Sequence, residues 1–525
     1  MKDLNKIIKR FDNADLYFFG FLLMFIIVSF FLLNTPPTAD EGTHSLIALF
    51  FRDLTNDLIN YPTASFLKVY DYAISYLVHY PKLSLYYPPL LHVVTSMFYN
   101  FLGASFFVGR LVVLLFSVAT LVVMYRLLKN FFSSKIALLA TVLFSIMPMI
   151  YYNSITMMTD IPYMFFFMLA IYLYLKAFDS KQKRHFILAA IAASLAFLTK
   201  WNSILIVPII FVYTFFEKKD QTKNVIMSAV LIFLIISPYM LIIWKTGLIS
   251  IPFLSSLQVS ATSKQDPQFT TIQGWTYYAN VLAKHYFTIP LLITSALTLI
   301  FYTLRKENHW KLLVIWSLTY YIFFTILSNK EPRYMIPLIP PLLIPFTYFI
   351  VSQKTKIAIP IAVVSFALLL FSTWQFISDT FYYNPDLTTI AKESLKSEGN
   401  ILVAAEPSWF YSSQFIFTLA SLDENASKFV YRACSLSVTP LDSLSSNYGI
   451  KYVIVPEPTD RDLENIELVK YSENLILDKE FHTTTTNVIF YSSIEYQPQK
   501  EYCNFICVLN ATICTKYVVP SDALK

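Results

Sequence analysis

Long apolar runs, separated by short connections rich in lysine and arginine, constrain this 525-residue chain more than any other feature. The runs fall at about 16–33, 106–125, 136–152, 161–175, 186–198, 203–216, 224–244, 288–303, 312–327, 334–351 and 357–377. A run of roughly 20 apolar residues matches a hydrocarbon core ~30 Å thick. Backbone inside lipid must satisfy its own hydrogen bonds, so each run reads as a helix. Several runs are short for that thickness, and tilt or local thinning is expected. Hydrophobic residues make up 56% of the chain and charged residues only 14%, against about 25% charged in soluble domains. The expectation is a polytopic α-helical membrane protein with about eleven transmembrane helices.

The basic residues cluster in alternate connections. Lys2, Lys6, Lys9 and Arg10 precede the first run; Arg126, Lys129 and Lys135 follow the second; Lys176, Lys181, Lys183 and Arg184 follow the fourth. The pattern continues with Lys218, Lys219 and Lys223, then Arg305, Lys306 and Lys311, then Lys354 and Lys356. The positive-inside rule makes these loops cytoplasmic. Segment 35–105, the Asp160 turn, the Lys200 turn, the polar loop 245–287, the NKEPR turn (329–333) and everything after 377 then lie outside. The N-terminus is cytoplasmic and the C-terminal region exoplasmic. Segment 88–103 is apolar enough to compete as a span, but counting it would reverse every later loop. It reads instead as an interfacial or re-entrant helix, introduced by Tyr86-Tyr87-Pro88-Pro89. Residues 48–80 read as a second surface helix with Phe50, Phe51, Leu54 and Leu58 on one face. The first run is too long for a signal-peptide core and lacks a small-residue cleavage pattern, so it reads as a retained anchor.

Two domains follow: a transmembrane domain over 1–377, carrying the exoplasmic first loop 35–105, and a small exoplasmic α/β domain over 378–525. In the latter, 401–406, 429–431 and 451–455 read as strands, 408–420 and 440–447 as helices, with further strands near 474–478 and 486–494. The sequons at Asn425 and Asn510 are compatible with an exoplasmic tail. So are the four cysteines, Cys434, Cys503, Cys507 and Cys514, which fit an oxidising compartment. No histidine pair stands near them to complete a zinc site.

Composition excludes several functions. The net charge of +6 is mild and sits mainly on one side of the membrane, which is no nucleic-acid signature. Only eight glycines occur, with no GxGxxG and no GxxxxGK[ST], so a nucleotide or nucleotide-sugar site is not expected.

The chemistry-bearing residues gather by topology. Thr38–His44, TADEGTH, puts two adjacent carboxylates, Asp40 and Glu41, directly after the first span. Ionisable groups at that depth point to function. Asp160, Lys200, Lys330, Arg333 and Arg110 fall on the same face. Carboxylates suit a general base or a divalent cation, and clustered lysine and arginine suit a phosphate. An enzyme facing the side without nucleotide pools needs a preactivated lipid, and a lipid phosphate ester is the simplest. Structural alternatives stand beside each assignment. Arg110 can snorkel, Lys200 and Arg333 can be interfacial anchors, and Asp160 can cap the helix that Ile161-Pro162 begins. The acid pair can simply end a helix. His44, four residues after Asp40, can share a metal or be a solvated loop residue.

TADEGTH, the YYPPLLHVVTSMFYNFLGASFFVGR stretch, MMTDIPYMFFFML, AFLTKWNSILIVP and KEPRYMIPLIPPLL occur in this order. Together they resemble the polyprenyl-phosphate-sugar-dependent glycosyltransferases of the GT-C fold. That group includes the dolichyl-phosphate-mannose protein mannosyltransferases, the lipid A aminoarabinose transferases and the RgtA/B/C/D-like sugar transferases. The resemblance covers roughly residues 10–380. It implies Asp40 as catalytic base with Glu41 beside it, and Asp160 as second acid, orienting the acceptor or sharing a metal. Arg110, Lys200 and Arg333 become the donor-phosphate residues, and Asp40, Asp160 and His44 the ligands of any divalent metal. The implied activity is a hexosyl- or pentosyltransferase of the plasma membrane. It would move a sugar from a polyprenyl phosphate to a hydroxyl of a glycan, lipid or protein, with inversion. This chain carries Tyr86-Tyr87 where aminoarabinose transferases have Glu-Lys, and loop 245–287 is too short for the β-trefoil of the eukaryotic mannosyltransferases. Two readings of another class remain open: a transporter or flippase for lipid-linked glycans, and a non-catalytic scaffold. Against the first, the halves show no inverted repeat.

Overall fold

The computed structural model describes residues 13–38, 40–80, 83, 85, 87–245, 266–304, 310–381, 386–396, 399–407, 410–423, 430–432, 450–457, 463–482, 487–493, 502–506 and 511–515. The chain packs as two compact units. The first comprises Met1–Leu33, Tyr86–Leu90 and Val113–Asp379; the second comprises Asn34–Leu85, Leu91–Val112 and Thr380–Lys525. The first loop therefore belongs to the same unit as the C-terminal region.

Each of the eleven apolar runs carries a helix, but length separates them. Among the described residues, six helices are long and apolar enough to cross a membrane: Asn13–Leu32, Phe106–Phe131, Asp160–Ser180, Lys219–Lys245, Pro332–Ser352 and Thr355–Thr380. Two bent pairs bring the number to eight at most, so a count of eleven is not reached. Ser134–Ser145 and Pro148–Ile155 meet at 71°, where Pro148 opens the second helix. Ile272–His285 and Ile289–Leu304 meet at 117°. The former of these lies inside the stretch read from the sequence as a polar loop. Its start is fixed by Thr271, whose hydroxyl accepts from the Gly274 N–H at 3.1 Å. Of the remaining runs, Lys183–Thr199 and Trp310–Ile326 are 17 residues long, and Trp201–Glu217 begins as a 3-10 turn.

In the first unit the apolar side chains divide by what they face. Leu23, Met24 and Phe31 on Asn13–Leu32, and Val363, Phe371 and Trp374 on Thr355–Thr380, are exposed, as lipid-facing residues are. Asp15 opens Asn13–Leu32 as a buried acid. Its Oδ1 accepts from Tyr125 Oη at 2.8 Å and from Lys129 Nζ at 2.6 Å, and Phe18 stacks on Tyr125 with centroids 4.1 Å apart. These contacts tie the first helix to Phe106–Phe131.

In the second unit, Glu41–Asn60 and Phe66–His79 replace the single surface helix expected over 48–80. Asp53 and Asp57 accept from Tyr76 and Tyr72 at 2.6 and 3.0 Å, joining the two helices. Leu90–Leu102 is the short helix expected near 88–103, and its 13 residues are too few to span. The C-terminal region forms a five-stranded sheet of order β2-β1-β3-β5-β4. Its strands are β1 Asn400–Val403, β2 Val430–Arg432, β3 Ile450–Glu457, β4 Leu475–His482 and β5 Asn487–Ser493. β1 pairs parallel with β2 and β3; β5 runs antiparallel between β3 and β4. Leu402, Val453, Val455 and Ile489 meet Ile466 and Val469 of the helix Leu463–Lys470 in a buried cluster. A separate hairpin places Cys503 opposite Cys514. Asn425, Asn510, Cys434, Cys507 and the expected helix 440–447 lie outside the described residues.

Replacing Asp15 with Ala should lower stability in detergent by about 1–3 kcal/mol, the cost of stranding buried or partly buried polar partners. Lys181→Ala, which breaks the exposed pair with Asp220, should leave the unfolding midpoint within error. Equal midpoints for the two variants would contradict the role given to Asp15.

Candidate functional site

The sequence-derived site residues divide between the two units. Asp40, Glu41, His44 and Arg110 are in the second; Asp160, Lys200, Lys330 and Arg333 are in the first.

In the second unit, Asp40 is a half-buried turn residue just before the helix Glu41–Asn60. Its backbone is in the right-handed region and its side chain makes no capping bond to the helix, so it does not serve as an N-cap in the usual sense. Its carbonyl accepts from the His44 N–H at 3.2 Å. Glu41, the next residue, is completely buried, and so is Arg110. Arg110 Nε donates to Glu41 Oε1 and Nη2 to Glu41 Oε2, both at 2.7 Å. This is the two-point fork that arginine and a carboxylate form. Arg110 Nη1 donates to the Thr35 carbonyl at 2.6 Å and to Thr35 Oγ1 at 3.0 Å, and Nη2 also reaches the Pro36 carbonyl at 2.9 Å. Glu41 Oε2 further accepts from the Thr38 N–H at 2.7 Å and its hydroxyl at 3.1 Å.

These bonds change two assignments. Arg110 neither snorkels nor has a donor left to offer a lipid phosphate; every N–H-bearing nitrogen of its guanidinium is directed at a protein acceptor. Glu41, buried and held by four donor groups, is no proton acceptor for a substrate. Both residues fix the path of Thr35–Glu41, which carries Asp40. The sequence showed the charges but not that they neutralise each other.

His44 is also buried, and so is His92; His44 Nδ1 lies 3.0 Å from His92 Nε2, one donating and the other accepting. Its environment is thus not the solvated loop. Among the described residues, no three histidine, cysteine, aspartate or glutamate side chains gather as a metal cluster would.

In the first unit, Asp160 begins the helix Asp160–Ser180, where the helix dipole favours a carboxylate. It is 1% exposed. Lys200 occupies the extended residue between Lys183–Thr199 and the 3-10 turn Trp201–Leu205. Its ammonium donates to Asp160 Oδ1 at 2.6 Å and faces the rings of Tyr163 and Tyr334, 5.7 and 5.5 Å away. Asp160 Oδ2 is buried and has no hydrogen-bond partner among the described residues. Arg333, half-buried in the 3-10 turn Pro332–Leu338, has Nη1 4.0 Å from Met158 Sδ. Burial lowers the Lys200 pKa from the usual lysine value. Asp160 works against that shift, and the Arg333 charge adds to it. The structure therefore brings Asp160, Lys200 and Arg333 into one electrostatic group. Lys330 is not part of it: its buried ammonium donates to the carbonyls of Thr325 and Leu327 at 2.8 and 3.0 Å and to that of Phe324 at 3.4 Å. It closes the C-terminal end of the helix Trp310–Ile326, where a cation is favoured.

Tyr163 and Tyr334 were not singled out from the sequence. Tyr163 stands three residues after Asp160, a spacing that places both on one helical face. Tyr334 follows Arg333 directly and its ring stacks on Phe324 with centroids 5.0 Å apart.

Residues 87–244 match the family model described as dolichyl-phosphate-mannose-protein mannosyltransferase. Two uncharacterized proteins of Aquifex aeolicus (strain VF5) are each 25% identical to the chain. The matches run over 278 residues, 51% of this chain and 54% of the relative, and over 314 residues, 58% and 70%. The chain thus spans about half the length of the first relative. The crystal structure of ArnT from Cupriavidus metallidurans bound to undecaprenyl phosphate superposes with a TM-score of 0.64 at 14% identity, covering 92% of this chain and 99% of that one. The apo form gives 0.60 at 14% identity over 91% and 99%. The fold is that of ArnT, and the family match agrees with the GT-C resemblance carried by the motifs. The chain is a multi-pass membrane protein of that fold.

Arg110→Met leaves Glu41 charged and buried, which should cost about 3–5 kcal/mol, whereas replacing both partners should recover part of that loss. Denaturation of the two single variants and the double variant in detergent measures the coupling; additive losses would show that the pair acts independently.

Proposed function

We propose that this protein transfers a sugar, hexose or pentose, from a polyprenyl-phosphate donor to an acceptor hydroxyl at the exoplasmic face of the plasma membrane. The N-terminus is then cytoplasmic and the C-terminal region outside, as the distribution of lysine and arginine favours. One observation carries the reading: the buried Asp160–Lys200 pair with Arg333 acting on it. Two cations beside one carboxylate, at the helix ends of a lipid-exposed unit, suit a phosphate ester whose prenyl chain stays in the bilayer. The solved relative bound to undecaprenyl phosphate supports that lipid class.

In this mechanism Arg333 and Lys200 hold the donor phosphate. As the bond between sugar C1 and the phosphate oxygen breaks, charge grows on that oxygen and the two cations stabilise it. Asp40 accepts the proton of the attacking hydroxyl while the new bond forms at C1 from the opposite side. The products are the glycosylated acceptor with inverted C1 and the free polyprenyl phosphate. A phosphate leaves without a general acid, so a second catalytic carboxylate is not required, unlike glycoside hydrolysis. Asp160 then keeps Lys200 charged against its burial and orients it. The acceptor is a glycan, a lipid or a protein hydroxyl; the mechanism itself needs no metal, and a divalent cation at Asp40 or Asp160 would act by lowering the acceptor's pKa.

Transfer of radiolabelled sugar from a panel of polyprenyl phosphates should proceed with the purified protein and fall by about 10²-fold or more in Asp40→Asn. Donor binding should persist in that variant. Full activity in Asp40→Asn would remove the base assignment. No transfer from any donor, with native membranes supplying acceptors, would remove the transferase reading.

A further inference from the structure

The loop that carries Asp40 has an unusual backbone. Pro36 and Pro37 have no N–H, so their only main-chain polar groups are carbonyls, and they can join neither a helix nor a strand as donors. The three successive carbonyls of Thr35, Pro36 and Pro37 are nevertheless all satisfied by side chains. Arg110 takes the first two. The third accepts from Gln414 Nε2 at 2.9 Å, across 377 residues of sequence within the same compact unit.

Gln414 is built for that contact. It is fully buried, in the first turn of the helix Ser412–Leu422. Its Oε1 accepts from the Tyr411 N–H at 3.0 Å, which fixes the amide so that its NH₂ points at Pro37. The helix start is itself anchored: the buried Glu406 carboxylate accepts from the Ser412 N–H at 2.9 Å and from the Ser412 hydroxyl. The backbones also touch. A Cβ on Gly42 would lie 2.3 Å from Gln414 N and 2.4 Å from the Ser413 carbonyl carbon, so only glycine admits this approach. Further along, Phe417 packs edge-on against Phe106, one turn before Arg110, with ring centroids 4.7 Å apart.

We infer that Gln414 is a positioning residue for Asp40, acting through the Pro37 carbonyl. This rests on the base role proposed for Asp40. Arg110 holds both ends of Thr35–Glu41, at Thr35 and Pro36 and again at Glu41, and Gln414 holds Pro37 between them, which restrains the backbone that carries the half-buried Asp40. The C-terminal region is thus part of the catalytic scaffold rather than an appendage.

The test uses the full-length protein with Gln414→Glu and Gln414→Met. Both remove the amide donor; the glutamate keeps the acceptor for Tyr411. Sugar transfer should fall roughly 10- to 100-fold in kcat, as a misplaced catalytic group does, with the donor KM little changed. Amide exchange over residues 38–44 should speed up in both variants. A neutral glutamic acid can donate to Pro37, so the Gln414→Glu rate, relative to wild type at each pH, should rise as pH falls. The Gln414→Met rate should not, and a merely structural defect would produce no such difference. Unchanged exchange over 38–44, or kcat and KM falling together with the folded fraction in both variants, would overturn the inference. Absence of transfer by the wild type would remove the proposed reaction instead, and the exchange comparison would then decide the positioning claim alone.

Discussion

A guanidinium with no access to water is costly unless every N–H finds an acceptor, and Arg110 is such a group. Its charge is balanced by Glu41 at 2.7 Å, and its remaining donors turn to main-chain oxygens of a segment that has few other ways to be held. The ordering follows from that need. Moving Thr35 or Pro36 would strand a buried donor, so the segment is rigid because the alternative is an unpaired charge. An ion pair of this kind adds little net stability over apolar packing, but it selects one loop conformation among many. That selection is what the base role proposed for Asp40 requires.

The first unit handles charge differently. Asp160 and Lys200 are paired, yet one buried oxygen of Asp160 has no hydrogen bond among the described residues, and Lys200 lies under the influence of a second cation. Such incomplete satisfaction is uncommon in protein interiors, and it is the setting in which the proposed donor phosphate would be held. Lys330 provides the contrast a few residues from Arg333. All its reach is taken by the carbonyls at a helix end, and its contribution is to let the chain turn sharply into Pro332–Leu338.

Much of this was legible before the structure. The apolar runs marked the helices, since hydrophobic length needs no partner information. The strands at 401–406 and 451–455 were visible from short β-branched runs. What failed did so where a neighbour decided the outcome. Ile272–His285 reads as polar because it is amphipathic and only one face is buried, Tyr278 and Leu282 among it. Pro148 bends one run and the Thr199–Asn202 break separates two others without changing hydropathy, so helix length among the described residues gives six to eight spans where the runs give eleven. At the candidate site, residue types reveal the charges but not their pairing: Arg110, expected to hold a phosphate, and Glu41, expected beside the base, bind each other. Gln414 carried no signal at all: a glutamine in a first helical turn is ordinary, and nothing local records a partner so far upstream.

That separation has a consequence for how the molecule is made. Pro37 and Gln414 are 377 residues apart, so the contact has about the highest loop-closure cost the chain can present. The ribosome delivers residues at about 5–20 per second, which leaves the early loop waiting on the order of twenty seconds or more for its last support. During that interval Gly42 and the two prolines lack the helix they pack on, while the spanning helices are already being inserted. Maturation of the Asp40 loop is therefore a late, post-insertion event, and a polypeptide interrupted before residue 414 would hold its long apolar helices together with an unfinished loop.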